Sequence, residues 1–156
     1  MPKKTTVDRV KVVREMWPND DFNALLDSDD LATAAAAVRE IMQSLATATC
    51  VGRSRENSLP YAGDGYDLIG GLASATLSEQ ELLTNLEAWA NNLATDATLR
   101  HADHRGETAE VSRAHASTTA YELSESLRAA AQHLAEATAA LRTAHTKISP
   151  LYQDED

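Results

Sequence analysis

The stretch that decides the fold is residues 123–148, LSESLRAAAQHLAEATAALRTAHTKI. One row of large apolar residues recurs every seven positions from Leu127 to Ile148, and a second row, mostly alanine, recurs every seven from Leu123. Two rows with this period predict a long helix with a seam for another helix, which alanine allows to approach closely. We predict an interaction seam formed by Leu123, Leu127, Ala130, Leu134, Ala137, Leu141, Ala144 and Ile148.

A second helix is predicted upstream. Ser78 and Glu81 have the spacing of a capping box, which places the helix start at residue 78. The polar run 101–108 interrupts the apolar pattern, so we predict an antiparallel hairpin over 78–148 with its turn near 104–107. A continuous helix of about 70 residues stays open, because one internal glycine costs only about 1 kcal/mol. The expected core anchors are Trp17, Leu82, Leu86, Trp89 and Leu93; an exposed tryptophan would instead mark a binding face.

The N-terminal half predicts shorter helices. A helix over 7–17 ends before Pro18, and a longer one follows the aspartates at 27–30 and ends near Gly52. Residues 52–66 are rich in turn formers and predict the main loop, followed by a short buried helix over 67–76. We therefore expect an all-α helical bundle, one domain over 7–150, between a flexible basic N-terminus (1–6) and an acidic tail (151–156).

Composition and charge restrict the class of partner. Alanine supplies 28 of the 156 residues, and the net charge is -10. Residues 1–18 carry five basic and two acidic side chains, a net of +3, so the remainder carries -13. A body this acidic repels nucleic acid, and we expect no direct nucleic-acid binding. No apolar run is long enough for a membrane span, and no signal sequence is evident, so we expect no membrane association and a cytoplasmic protein.

Few residues are arranged for chemistry. His101, Asp103 and His104, with Glu110 and His115 nearby, have donor types that bind zinc, but polar residues at a hairpin tip explain them equally. No Ser-His-Asp or Cys-His set is recognisable. We therefore expect no catalytic residue, no cofactor and no metal, and a protein that is not an enzyme.

Two resemblances suggest a biological context. Tyr121-x-x-x-Glu125 resembles the tail signal of the small two-helix substrates of type VII secretion, which implies an exported helical hairpin. Their Trp-x-Gly motif is absent, since Trp89 is followed by Ala90 and Asn91. More of the chain, 82–89 and 129–152, resembles small Ala-rich proteins of actinobacterial genomes and mobile elements. This resemblance suggests a genomic context but no particular activity.

The function expected from these patterns is that of a non-enzymatic protein–protein interaction or assembly protein that forms a homodimer. One alternative is an acidic regulatory or anti-regulatory binder that occupies the basic surface of a DNA-handling protein. The secretion substrate is a further alternative.

Overall fold

The computed structural model describes residues 9–16, 27–50, 59 and 61–151, and all regular structure in these ranges is helical. The elements are α1 (Arg9–Met16), α2 (Ser28–Ala48), α3 (Ala62–Thr95), a 3₁₀ turn (Ala102–His104) and α4 (Ala109–Ile148). The predicted all-α class is confirmed. Trp17, the basic N-terminus (1–6) and residues 152–156 of the acidic tail lie outside the described residues.

The chain divides into two units, Met1–Ser58 and Leu59–Asp156, and each is described by itself. The prediction of one domain over 7–150 stays a prediction. In the first unit, the Asp27 carboxylate caps α2 by accepting the backbone N–H groups of Asp29 and Asp30, both at 2.9 Å. Within the described part of this unit, no residue of α1 or α2 is buried.

Helix α3 begins much earlier than predicted. It starts at Ala62, where the Asp64 carboxylate accepts the Tyr61 N–H at 3.1 Å, so residues 62–66 are helix rather than loop. The predicted helix start at Ser78 is wrong, and residues 67–76 are not a separate helix. A capping box is a local pattern, and its serine and glutamate are tolerated inside a helix when the preceding residues are also helical.

Helices α3 and α4 pack against each other as an antiparallel hairpin, which confirms the predicted topology. The connection spans residues 96–108 and includes the predicted turn at 104–107. Two hydroxyls fix its ends. The Ser117 hydroxyl donates to the Ala94 carbonyl at 2.8 Å, and the buried Ser112 hydroxyl accepts the His101 N–H at 3.0 Å.

Small side chains fill the interface of the hairpin. Large residues are absent from the buried set among the described residues: it consists of Ala73, Ala90, Ala94, Ser112, Ala116, Ala120, Ser124, Ala131 and Thr138. The buried hydroxyls of Ser124 and Thr138 donate to carbonyls of their own helix, those of Tyr121 and Leu134, both at 2.8 Å. They therefore occupy the interface without leaving an unsatisfied donor.

Replacing Ser112 tests the anchor between the connection and α4. Ser112→Ala removes the acceptor of the part-buried His101 N–H and should lower the free energy of unfolding by about 1–2 kcal/mol. Urea denaturation followed by circular dichroism measures the change. Ser126→Ala is the matched control, because the exposed Ser126 hydroxyl bonds only to the Glu122 carbonyl of its own helix. Equal stability of the two variants would contradict the assigned role.

A close approach at Gly70 gives a second test. A Cβ atom at Gly70 would lie 2.9 Å from Nε2 of His145, whose ring stacks on Tyr66 with centroids 3.8 Å apart. A Cβ atom at Gly71 would meet nothing within 4 Å. Gly71→Ala should therefore raise stability by about 1 kcal/mol through helix propensity.

Gly70→Ala gains the same propensity but displaces the His145 ring, so its melting temperature should lie below that of Gly71→Ala. Thermal denaturation of both variants measures the difference. Equal melting temperatures would show that the stacking of His145 on Tyr66 contributes nothing to thermal stability.

Candidate functional site

The predicted seam on α4 is only partly in contact with α3, because one of its two rows is mostly exposed. Leu127, Leu134, Leu141 and Ile148 are half-buried against α3. Of the second row, Ala130 is half-buried, whereas Leu123, Ala137 and Ala144 are exposed. The row that packs most closely on α3 lies one residue later, at Ser124, Ala131 and Thr138. Whether the exposed row is an interaction seam stays a prediction.

The predicted core anchors on α3 are mostly exposed. The exposed fraction is 55% for Leu82, 37% for Leu86 and 53% for Trp89, and Leu93 is half-buried. The prediction that Leu82, Leu86 and Trp89 are core residues is therefore wrong for the single chain. The face of α3 that contacts α4 contains Ala73, Ala90 and Ala94. These small residues let the two helices pack closely, and the narrow contact does not cover the larger side chains beside it.

The exposed rows of α3 and α4 lie on the same side of the hairpin. In each helix the exposed row is one residue earlier than the row that faces the partner helix. Because both helices are right-handed and they run antiparallel, one residue earlier points to the same side in both. The apolar side, as we name it, comprises Leu68, Leu72, Ala75, Leu82, Leu86, Trp89 and Leu93 of α3 with the eight predicted seam residues of α4.

The opposite side of the hairpin is polar. Arg128 of α4 bonds to Glu87 of α3 at 2.8 Å and to Glu125 at 2.7 Å. The hydrogen bond with Glu87 is the main cause that raises the pKa of the Arg128 guanidinium, and the charge of Glu125 adds to it. A cleft of about 390 Å³ lies on this side, with Arg142 and His145 in its wall.

The histidines at the hairpin tip form a second cluster. The rings of His104 and His115 stack with centroids 3.8 Å apart and an interplanar angle of 2°. Oε1 of Glu107 lies 3.1 Å from Nδ1 of His104. One ligand atom from each of these three residues lies within 4.8 Å of the others. Glu110, the carboxylate considered from sequence, is exposed and is not part of the group.

His101 is adjacent to this cluster but has a different role. Its ring lies 5.0 Å from that of His104, centroid to centroid. Its Nδ1 accepts the backbone N–H of Asp103 at 3.2 Å, so that lone pair is occupied and the proton of the neutral ring is on Nε2. His101 therefore caps the 3₁₀ turn and is not available as a metal ligand in this arrangement.

The start of the connection is set by Asp96. Its carboxylate accepts the Thr98 hydroxyl and the Thr98 N–H, both at 2.7 Å. These two hydrogen bonds lower the pKa of the Asp96 carboxyl below its ordinary value of 3.8, and the bond from the hydroxyl has the larger effect. The resulting stabilisation is present above the ordinary value and is lost as the pH falls through the lowered one.

Helix α2 of the first unit also has an exposed apolar face. Leu31, Val38, Ile41 and Met42 are 48–59% exposed, and their spacing places them on one side of the helix. The predicted amphipathic pattern of α2 is therefore present. In the part of the chain that the structure describes, no helix is long and apolar enough to cross a membrane.

Comparison with known proteins gives no relative. No family model matches the chain, and no significant match was found among curated proteins or solved structures. The two residues that carry the resemblance to secretion substrates are both on α4. Tyr121 is 49% exposed, and Glu125 pairs with Arg128.

Proposed function

We propose that this chain is a non-enzymatic assembly protein in which two copies associate through the apolar side of the hairpin. The observation that carries the proposal is the exposure of Leu82 and Trp89 on the same side as Leu123. A large aromatic side chain surrounded by leucines is typical of the centre of a protein interface. A cytoplasmic location is part of the proposal, and the one cysteine of the chain is compatible with a reducing compartment.

The apolar side is large enough for a stable dimer. Residues 123–148 of α4 extend about 38 Å at 1.5 Å per residue. Two helices at about 10 Å each give a width of roughly 20 Å, and thus a face of about 750 Å². A typical stable interface takes about 800 Å² from each partner.

Charge favours a second copy as the partner. The net charge of -10 repels an identical chain, but the eight seam residues of α4 carry no charge. The matching row on α3 from Leu68 to Leu93 has one charged residue, Glu79. An uncharged face avoids repulsion at the contact between two identical surfaces, whereas binding to a basic partner would use acidic residues. Two such hairpins would form a four-helix bundle, in which every helix covers its second apolar row.

Size-exclusion chromatography with light scattering tests the proposal. The wild-type chain should have twice its 16.8 kDa mass at micromolar concentration. Leu82→Asp should produce a monomer, because dimerisation would bury an unpaired carboxylate in the apolar contact. Circular dichroism should show unchanged helix content, since Leu82 is exposed in the single chain.

Leu77→Asp is the matched control. Leu77 is on the same helix and is 46% exposed, but it lies on the polar side of the hairpin. This variant should remain a dimer. A monomeric wild-type protein would contradict self-association. Equal dissociation by the two substitutions would show that the contact does not lie on the apolar side.

A further inference from the structure

We propose that the hairpin tip binds one zinc ion through His104, Glu107 and His115. The site is independent of the apolar side, and the sequence alone predicted no metal. Two imidazoles and one carboxylate are a ligand set that zinc and similar transition metals accept. Magnesium and calcium prefer oxygen ligands and fit this set poorly.

The distances between the ligand atoms are close to those a metal requires. Two ligands about 2.0–2.1 Å from a tetrahedral zinc are about 3.3–3.4 Å apart. His104 Nδ1 and Glu107 Oε1 are already 3.1 Å apart. The largest separation in the group is within 4.8 Å, so the remaining ligand has to move by about 1.5 Å at most. The His115 ring stacks parallel to that of His104, so it also has to turn until its nitrogen points at the ion. His115 is exposed on α4, which leaves room for this rotation.

The state of His104 also favours a ligand at this position. Its Nδ1 is shielded from solvent and forms no hydrogen bond within the described residues. Oε1 of Glu107 lies 3.1 Å from this nitrogen, but the two atoms do not form a hydrogen bond. A buried nitrogen without a partner is unfavourable, and coordination to a metal would satisfy it. The backbone supports the pair, because the Glu107 N–H donates to the His104 carbonyl at 3.2 Å.

Two arginines line the adjoining cleft of about 290 Å³, Arg100 and Arg105. Arg100 is engaged with the backbone, since its Nη1 donates to the carbonyls of Ala97 and Leu99 at 2.8 and 2.7 Å. The positive charge nearby disfavours an ion held by electrostatics alone. It is less unfavourable for zinc, which forms directional bonds to neutral imidazole nitrogens.

Bound zinc would cross-link the connection to α4. His104 and Glu107 belong to the connection, whereas His115 is in the second turn of α4. Three protein ligands leave a fourth position for water. The site would therefore stabilise the hairpin tip, and its occupancy should raise the melting temperature.

Equilibrium dialysis of the chelator-treated full chain against zinc chloride tests this proposal. We expect one zinc per chain. Glu107→Gln and His115→Ala should each lower zinc affinity at least about tenfold and abolish the zinc-dependent rise in melting temperature. Both residues are exposed, so the variants should remain folded, as circular dichroism will verify.

The chain provides matched controls for both substitutions. His133 is on the same helix and has a glutamate three residues later, Glu136 at 3.7 Å, but it is outside the cluster. Glu110 is an exposed carboxylate close to Glu107 in sequence. His133→Ala and Glu110→Gln should bind zinc as the wild type does. Absence of binding by the wild type, or an equal loss in the control variants, would overturn the proposal.

Discussion

Close packing of small side chains between α3 and α4 is the constraint on which the rest of the structure depends. Alanine and serine at positions such as Ala90, Ala94 and Ser124 allow the two backbones to approach closely. Among the described residues, the fully buried positions of this narrow interface hold only small residues, and Leu82 and Trp89 lie outside it. The exposed apolar side of the hairpin thus follows from how its core is packed, and exposed apolar surfaces of this kind are typical of interaction sites.

The sequence predicted the helices better than their rotation and their boundaries. The seven-residue period of α4 correctly indicated a long helix that pairs with another. Hydrophobicity then favoured the row of Leu123 and Ala130, whereas the row with Ser124 and Thr138 packs more closely. Serine and threonine look polar in a sequence, but inside a helix their hydroxyls bond to preceding carbonyls and their small size decides the packing. The Ser78 capping pattern failed because the preceding segment is itself helical.

The histidine cluster was only partly visible in the sequence. His104 and His115 were recognised as candidate ligands, but the turn determines which carboxylate joins them. Glu107 follows His104 by three residues in a tight turn and meets its ring, whereas Glu110 is in the first turn of α4 and does not. Ser112 contributes indirectly, since its bond to His101 holds the connection against α4. The apolar side and the tip therefore depend on the same hairpin but use different residues.

The central claim, that a second copy covers the apolar side, is tested most directly by the environment of Trp89. In a Trp17→Phe variant, the fluorescence of Trp89 alone is measured with acrylamide as quencher over a series of dilutions. If a second copy covers the apolar side, Trp89 should be shielded from acrylamide at high protein concentration and become accessible once the dimer dissociates on dilution. A Trp89 that is accessible to acrylamide at every protein concentration, with the helix content maintained, would show that no second copy covers the apolar side.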